Sequence, residues 1–158
     1  MALARVPGAA LRTTFIVGFP GETEADADEL ASFVEAVRFD HVGVFTYSHE
    51  EGTAAGGLDD DVPASVKRKR RDRLMGLQKR IVRKAQKARI GTRVPVLVDG
   101  PSEDHDLVLK GRLPWQAPEI DSQVFLTDCD PSTLPSGTLV EAEIVGARDY
   151  DLLARPLP

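Results

Sequence analysis

The most unusual local sequence is the run from Gly18 to Glu22 (GFPGE), which follows an apolar segment and precedes a helical one. Glycines at the carboxyl end of a parallel strand let the backbone approach a ligand, and the amides of the next helix face the same point. A tight strand-to-helix turn also needs glycine and proline for structural reasons alone, and the pattern favours this simpler role. The run lacks the glycine spacing and the lysine of nucleotide-binding motifs.

Two other places carry side chains that take part in catalysis elsewhere. His49 and Glu50 are candidates for an acid–base pair, but adjacent residues seldom converge on one substrate atom, so a solvated loop is the favoured interpretation. Cys129 lies between Asp128 and Asp130, whose charges should raise the pKa of the thiol and keep it a poor nucleophile. We therefore assign no catalytic residue.

The single cysteine limits metal and redox chemistry. One thiol cannot form an internal disulfide, which agrees with a reducing cytoplasm, and we expect a cytoplasmic protein. It also cannot build a structural zinc site or hold an iron–sulfur cluster, so we expect no metal site. The sequence is 42% apolar and 28% charged, as in soluble globular proteins, and no apolar run is long enough for a membrane span.

Charge is divided into three blocks. Residues 1–64 carry 3 Lys and Arg against 12 Asp and Glu, residues 65–90 carry 12 against 1, and residues 91–158 carry 5 against 12. The basic run from Lys67 to Arg73 has two open interpretations: it binds phosphates, or it is a solvated helix face that pairs with the flanking acidic blocks.

The elements around Gly18 to Glu22 form a strand–helix–strand pattern. The β-branched and aromatic segments 12–18 and 42–47 predict strands, the first of them buried on both faces. Between them, Thr23 and Asp26 resemble a capping box at the start of a helix of about four turns. Such a unit has parallel strands. It is too small for an independent core, so its edges need neighbouring strands.

A long helix is predicted at about residues 64–89, ended by Gly91. Its expected apolar stripe consists of Val66, Leu74, Leu77, Ile81, Ala85 and Ala88, with the basic residues on the remaining faces.

Beyond Gly91 the pattern changes to short β-rich segments separated by turn residues, which predicts a small closed five-stranded barrel. The predicted strands are residues 93–98, 106–109, 123–127, 139–145 and 150–153. Barrels that bind nucleic acid carry basic grooves with stacking aromatics. This one has a net charge of −7 and only Trp115, Phe125 and Tyr150, so it should repel phosphate and attract a basic protein.

Several of these runs closely resemble radical S-adenosylmethionine methylthiotransferases. The loop YSHEEGT at residues 47–53 is similar to the subfamily that modifies an aspartate of a ribosomal protein (RimO-type), whereas the tRNA subfamily typically has Pro-Arg-Pro-Gly-Thr there. The other matching runs are RTTFIVGFPGETE at residues 12–24, RRDRLMGLQ at residues 70–78, APEID at residues 117–121 and DYDL at residues 149–152.

The resemblance implies a fold of α/β followed by all-β. Residues 1–63 would be the C-terminal piece of a TIM-like radical-SAM barrel, residues 64–90 a connecting basic helix, and residues 91–158 a TRAM domain, an OB-like β-barrel. It also implies that the S-adenosylmethionine pocket lies beside the strand and turn, at Ile16, Gly18, Pro20, Gly21 and Glu22.

In the family, the intact enzyme uses S-adenosylmethionine and two 4Fe-4S clusters to transfer a methylthio group to an aspartate β-carbon, here of small-subunit ribosomal protein twelve. This chain lacks the cluster cysteines, so we expect no cofactor bound to it and no activity alone. The resemblance implies that the acidic TRAM domain recruits the basic ribosomal protein.

Two alternatives remain open at this point: an RNA-binding TRAM module whose basic helix uses Arg68, Arg70 and Arg71, or a fragment of the related tRNA methylthiotransferase. RNA is the less favoured partner because the barrel is acidic. An independent hydrolase ranks last, since the sequence has no nucleophile motif.

Overall fold

The protein is described by a computed structural model that covers residues 8–103 and 108–158. The chain divides into two compact units, one formed by residues 10–81 and the other mainly by residues 82–158. No helix within the described residues is both long enough and apolar enough to span a bilayer.

The first unit is a parallel strand–helix–strand element followed by a long helix. Its elements are β1 (Arg12–Val17), α1 (Glu24–Val37), β2 (His41–Thr46) and the start of α2 (Ala64–Arg89). Strands β1 and β2 pair in parallel, in register from Arg12 opposite His41 to Val17 opposite Thr46. The predicted βαβ unit with parallel strands is therefore confirmed.

Helix α1 begins with the predicted capping box. The Thr23 hydroxyl accepts from the Asp26 amide at 3.3 Å, and the Asp26 carboxylate accepts from the Thr23 amide at 2.8 Å. Hydrogen bonds from the Thr23 hydroxyl and then from its amide lower the pKa of Asp26. The helix ends at Arg38, which is left-handed with φ 56° and donates its amide to the Val34 carbonyl at 3.0 Å.

One face of the two-stranded sheet packs against the helices. The buried core of this unit consists of Val17, Ala31, Val34, Val42, Val44 and Leu74. Phe15, Phe33 and Phe39 lie beside it, with ring centroids 5.7–6.4 Å apart in edge-to-face geometry.

The opposite face of the sheet is open. Ile16 and Phe45, which are register partners, are 58% and 63% exposed. The prediction that the first strand is buried on both faces is therefore wrong for this chain by itself. Its helices cover only one side, and a parallel sheet needs cover on both.

Helix α2 has the predicted length, and part of its predicted apolar stripe is buried. Leu74 lies in the core and Leu77 and Ile81 pack against it, whereas Ala85 and Ala88 are exposed. The buried positions of α2 that the stripe does not include are Lys67, Arg70, Gln78 and Val82. Lys67 and Arg70 can be buried because their hydrocarbon stems pack against the protein while their charged heads are paired.

The second unit is a closed five-stranded barrel, as predicted. Its strands follow one another around the barrel in the order β3, β4, β5, β7, β6, and all neighbours are antiparallel except β5 and β7. They are β3 (Arg93–Pro101), β4 (Leu109–Arg112), β5 (Val124–Leu126), β6 (Leu139–Arg148) and β7 (Asp151–Pro156).

Strand β4 lies later in the chain than the predicted strand at residues 106–109. Lys110 and Gly111 were not expected in a strand because they have low β-propensity, yet their backbone pairs with β3 and β5. Residues 106 and 107 of the prediction lie outside the described residues.

The barrel has its own core. It is formed by inward residues from all five strands together with Leu113: Val94, Val96, Val98, Leu109, Val124, Leu126, Ala142, Ile144, Leu152 and Ala154. Closure removes sheet edges, so this unit buries an apolar interior without help from the first.

We predict that Ile144→Ala lowers the free energy of unfolding of the barrel by about 2–5 kcal/mol, because the side chain is 0% exposed and its loss leaves a cavity. Urea unfolding followed by the fluorescence of Trp115, the sole tryptophan and a neighbour of this core, measures the change.

Val145→Ala is the matched control. Its side chain lies next in sequence, on the outer face, and is 40% exposed, so the loss should be under about 1 kcal/mol. Equal effects of the two substitutions would contradict the assigned inward and outward faces of β6.

Candidate functional site

The turn between β1 and α1 is held by hydrogen bonds from the chain itself. The Gly18 amide donates to Oε2 of Glu22 at 2.8 Å, and the Glu22 amide donates to the Phe19 carbonyl at 2.9 Å. The Gly21 amide donates to Oδ1 of Asp61 at 2.8 Å. These three amides already donate to oxygens of the chain, and the nearby side chains are acidic. They are therefore not available to bind an anion.

Gly18 is required by two features of the structure. Its φ is +73°, a left-handed conformation that side chains disfavour. A Cβ at this position would also lie 2.3 Å from Cγ of Lys67. The purely structural explanation for glycine, favoured from the pattern, therefore holds at this residue.

Lys67 lies buried beneath the carboxyl ends of both strands. Its stem packs on Gly18, its ammonium group pairs with Asp60, and it donates to the Tyr47 carbonyl at 3.4 Å. The ammonium nitrogen lies 4.9 Å from the centroid of the Tyr47 ring, a cation–π contact. This lysine is thus occupied by the chain and is not available to bind phosphate.

Arg70 is the second buried cation, one helical turn further along α2. Its Nη1 donates to Oε1 of Glu22 at 2.7 Å and to the Glu22 carbonyl at 3.1 Å, while Nη2 donates to Glu24 at 3.3 Å. Its Nε is buried without a hydrogen-bond partner. Arg73, more exposed, pairs with Glu24 and Asp28.

The basic run had two open interpretations, and the second applies to Lys67, Arg70 and Arg73. Each of these side chains pairs with a carboxylate of the first acidic block. The face is not simply solvated, however, since two of these cations are buried. Sequence reasoning did not identify Lys67 and Arg70 as residues that contact the turn from Gly18 to Glu22. The available signal was the opposite charge of the first two blocks.

The five residues predicted to lie beside the cofactor occupy three different settings. Gly18 and Glu22 are joined by a hydrogen bond and face the buried cations of α2. Pro20 and Gly21 form the middle of the turn, where Gly21 is exposed. Ile16 lies on the open sheet face beside Phe45. The structure brings the glycines and Glu22 together, and Ile16 and Phe45 supply an apolar surface at the same strand ends.

The other chemistry-bearing residues behave as the sequence indicated. His49 and Glu50 are exposed in the loop after β2. The pKa of Cys129 is raised, first by partial burial and then by the charges of Asp128 and Asp130, which confirms the predicted direction. Among residues 8–103 and 108–158, no group of three or more His, Cys, Asp or Glu is arranged to hold a metal ion.

The barrel surface carries acidic residues both with and without partners. Among the described residues of this unit, ion pairs join Asp99 with Arg112, Glu103 with Lys110, Glu143 with Arg155 and Asp149 with Arg83. Four exposed acids form no ion pair within the described chain: Glu119, Asp128, Asp130 and Glu141. Glu141 lies on the outer face of β6 with Leu139 and Val145, which are 67% and 40% exposed.

A groove of about 380 Å³ lies elsewhere on this unit. It is lined by Arg83, Lys87, Ala147, Arg148 and Asp149. Among these residues, Asp149 belongs to the DYDL run at residues 149–152, and it already pairs with Arg83 across the groove.

Comparison with known proteins supports the resemblance found in the sequence. Residues 90–157 match the model of the TRAM domain family. Ribosomal protein uS12 methylthiotransferases are similar over nearly the whole chain. The protein from Anaeromyxobacter sp. (strain K) is 51% identical over 152 residues, 96% of this chain and 32% of that protein.

Two further relatives give the same result. Those of Koribacter versatilis (strain Ellin345) and Myxococcus xanthus (strain DK1622) are 48% and 46% identical, each over 96% of this chain and over 30% and 31% of their own lengths. The chain thus spans about a third of these relatives. A multidomain protein with nucleic acid binding domains from Streptococcus pneumoniae has a TM-score of 0.32 and 18% identity over 44% of this chain and 23% of its own, too little to support an argument.

We predict that Cys129 alkylates more slowly than a free cysteine at neutral pH, because its raised pKa keeps the thiol protonated. Reaction with iodoacetamide should accelerate as pH rises above the ordinary thiol pKa. Mass spectrometry of the alkylated peptide measures the rate.

Asp128→Asn combined with Asp130→Asn should speed the reaction at fixed pH by removing both nearby charges. Glu119→Gln combined with Glu141→Gln, an equal charge change that leaves both neighbours of the thiol intact, is the control. A thiol that reacts as fast as free cysteine in the unmodified chain would contradict the assignment.

Proposed function

We propose that this chain, which corresponds over nearly all of its length to about a third of the ribosomal protein uS12 methylthiotransferases, is the C-terminal part of such an enzyme. In this proposal its barrel recruits the ribosomal protein substrate, and its first unit supplies part of the S-adenosylmethionine pocket wall. The observation that carries the proposal is the roughly 50% identity over 96% of this chain, a span that includes both the turn region and the TRAM domain.

The charge of the barrel supports a protein substrate. Ribosomal proteins are basic because they bind RNA, and residues 91–158 carry a net charge of −7. The outer face of β6 combines the exposed Glu141 with the exposed apolar side chains Leu139 and Val145. Acidic and apolar groups side by side suit a basic protein surface, in which charge steers the encounter and apolar area adds affinity.

The residues of the first unit fit the adenine end of S-adenosylmethionine. Adenine is flat and largely apolar, and Ile16 with Phe45 forms an open apolar surface at the carboxyl end of parallel strands, where ligands bind in such sheets. When bound in the intact family, the cofactor supplies the reactive methyl and radical chemistry together with two 4Fe-4S clusters. This chain's own residues would bind and orient the adenosyl group. Its single cysteine cannot hold a cluster.

The RNA-binding alternative loses support at Arg70 and Arg71, two of the three residues on which it depended, whereas Arg68 is exposed. Arg70 is buried against Glu22 and Glu24, and Lys67 beside it is buried against Asp60. Arg71 pairs with its neighbour Asp72. We therefore do not carry the basic run forward as an RNA-binding surface.

We predict that the chain binds purified ribosomal protein uS12 and that Glu119→Gln, Asp128→Asn and Glu141→Gln together weaken this binding by about tenfold. The change removes three exposed acids that lack ion-pair partners within the described chain. Isothermal titration calorimetry at two salt concentrations measures it, and affinity should fall as salt rises.

The matched control removes the same charge from the first unit, as Glu29→Gln, Glu35→Gln and Glu51→Gln, all at exposed positions. It should leave the affinity for uS12 within about twofold. Equal losses in the two triple variants would mean that net charge alone, and not the barrel surface, governs binding. Absence of uS12 binding by the unmodified chain would contradict the recruiting role.

We predict that Ile16→Asp lowers the affinity for S-adenosylmethionine in an intact enzyme by about tenfold or more, since a charge on the apolar wall must be desolvated against adenine. The test uses a chimaera in which this chain replaces the matching third of the Anaeromyxobacter relative. Equilibrium dialysis with labelled S-adenosylmethionine measures the dissociation constant.

Leu58→Asp is the control, because Leu58 is also apolar and 46% exposed but lies outside the sheet. Its dissociation constant should match that of the unmodified chimaera. An unchanged dissociation constant in Ile16→Asp would overturn the assignment of the pocket wall.

A further inference from the structure

The guanidinium group of Arg70 binds Glu22 at one end of the turn, and through the side chain of Glu22 it is connected to Gly18 at the other end. Nη1 of Arg70 donates to the side chain of Glu22 at 2.7 Å and to its carbonyl at 3.1 Å. The other carboxylate oxygen of Glu22 accepts from the Gly18 amide at 2.8 Å. Glu22 therefore bridges Arg70 and Gly18, and the position of its carboxylate sets the path of the backbone between residues 18 and 22.

This contact is a costly way to achieve stability alone. The side chains of Arg70 and Glu22 are only 8% and 13% exposed, so both charges are largely removed from water. Pairing often only balances such desolvation, and apolar residues of similar volume do as well or better. Arg70 also keeps Nε buried without a hydrogen-bond partner among the described residues, which adds a further cost to stability. An arginine here is better explained by the geometry it imposes.

The geometry it imposes is directional. Arginine presents its donors in a rigid fork, so it fixes the orientation of a carboxylate as well as its distance. A lysine in its place would supply charge but only a point contact. Since Gly18 is at φ +73° and packs on Lys67, the turn has little freedom once Glu22 is held.

We infer that Arg70 is a positioning residue for S-adenosylmethionine: it acts through Glu22 to hold the turn from Gly18 to Glu22 in the conformation that closes the adenosyl side of the pocket. This inference rests on the proposed function, because it takes the turn to be part of the cofactor pocket. Arg70 lies beneath the turn and reaches the cofactor side only through Glu22.

The experiment compares Arg70→Met, Arg70→Lys and Arg73→Met in the chimaera described above. Arg70→Met should raise the dissociation constant for S-adenosylmethionine about tenfold or more, and Arg70→Lys should give an intermediate value. Hydrogen–deuterium exchange of the peptide that contains Gly18 should accelerate in Arg70→Met, because its amide loses a fixed acceptor. The affinity for uS12 should stay within about twofold and exchange of the β2 peptide should stay unchanged, which unfolding of the barrel or of the first unit would not allow.

Arg73→Met is the matched control, because Arg73 lies on the same helix and pairs with Glu24 and Asp28 but contacts no residue of the turn from Gly18 to Glu22 among the described pairs. It should change neither the cofactor affinity nor the exchange. If Arg70→Met leaves the dissociation constant unchanged, or raises it without faster exchange at Gly18, the inference is overturned. If Arg70→Met also lowers uS12 affinity to the same extent, Arg70 has a general structural role and the inference is equally wrong.

The proposal that Ile16 forms part of the pocket wall and the positioning role of Arg70 can be overturned independently of each other. An effect of Arg70→Met on cofactor affinity with none from Ile16→Asp would remove the apolar wall and leave the positioning role of Arg70 standing. An effect of Ile16→Asp with none from Arg70→Met would overturn the positioning role alone.

Discussion

The carboxylate of Glu22, held between the amide of Gly18 and the guanidinium of Arg70, is the contact on which the first unit depends. It ties the strand-to-helix turn to a long helix that begins more than forty residues later in the chain. Lys67 strengthens this link between the turn and α2, because its stem packs against Gly18 and its ammonium group pairs with Asp60. Opposite charges in distant segments thus add to the apolar contact that Leu74 of α2 makes in the core of this unit.

The barrel is organised differently. Its interior is apolar and its strands close on one another, so charge is left for the surface. There the acids outnumber the bases, and Glu141 lies among exposed apolar residues on β6. The two acidic blocks of the sequence therefore differ: several acids of the first, among them Glu22 and Asp60, pair with α2 inside their own unit, whereas acids of the second face solvent, where a basic partner can reach them.

Much of the fold follows from local sequence. Thr23 and Asp26 predicted the capping box, and the β-branched segments and turn residues predicted the parallel pair and the five-stranded barrel. Only part of the buried face of α2 followed, at Leu74, Leu77 and Ile81, because periodicity counts apolar residues and cannot recognise a buried lysine or arginine whose partners lie elsewhere in the chain. Strand β4 was misplaced because Lys110 and Gly111 join it through backbone pairing alone. The sheet face at Ile16 and Phe45 is open because no element of the described chain packs over it.

The proposed role of this chain is to supply the substrate-recruiting and cofactor-side portion of a uS12 methylthiotransferase. Its most direct test is whether the chimaera with the Anaeromyxobacter relative, reconstituted with iron and sulfide and supplied with S-adenosylmethionine, a reductant and a sulfur source, modifies uS12. Mass spectrometry of uS12 should show one methylthio group in place of a hydrogen on an aspartate. Unmodified uS12 from a chimaera that holds its clusters and binds both S-adenosylmethionine and uS12 would contradict the claim.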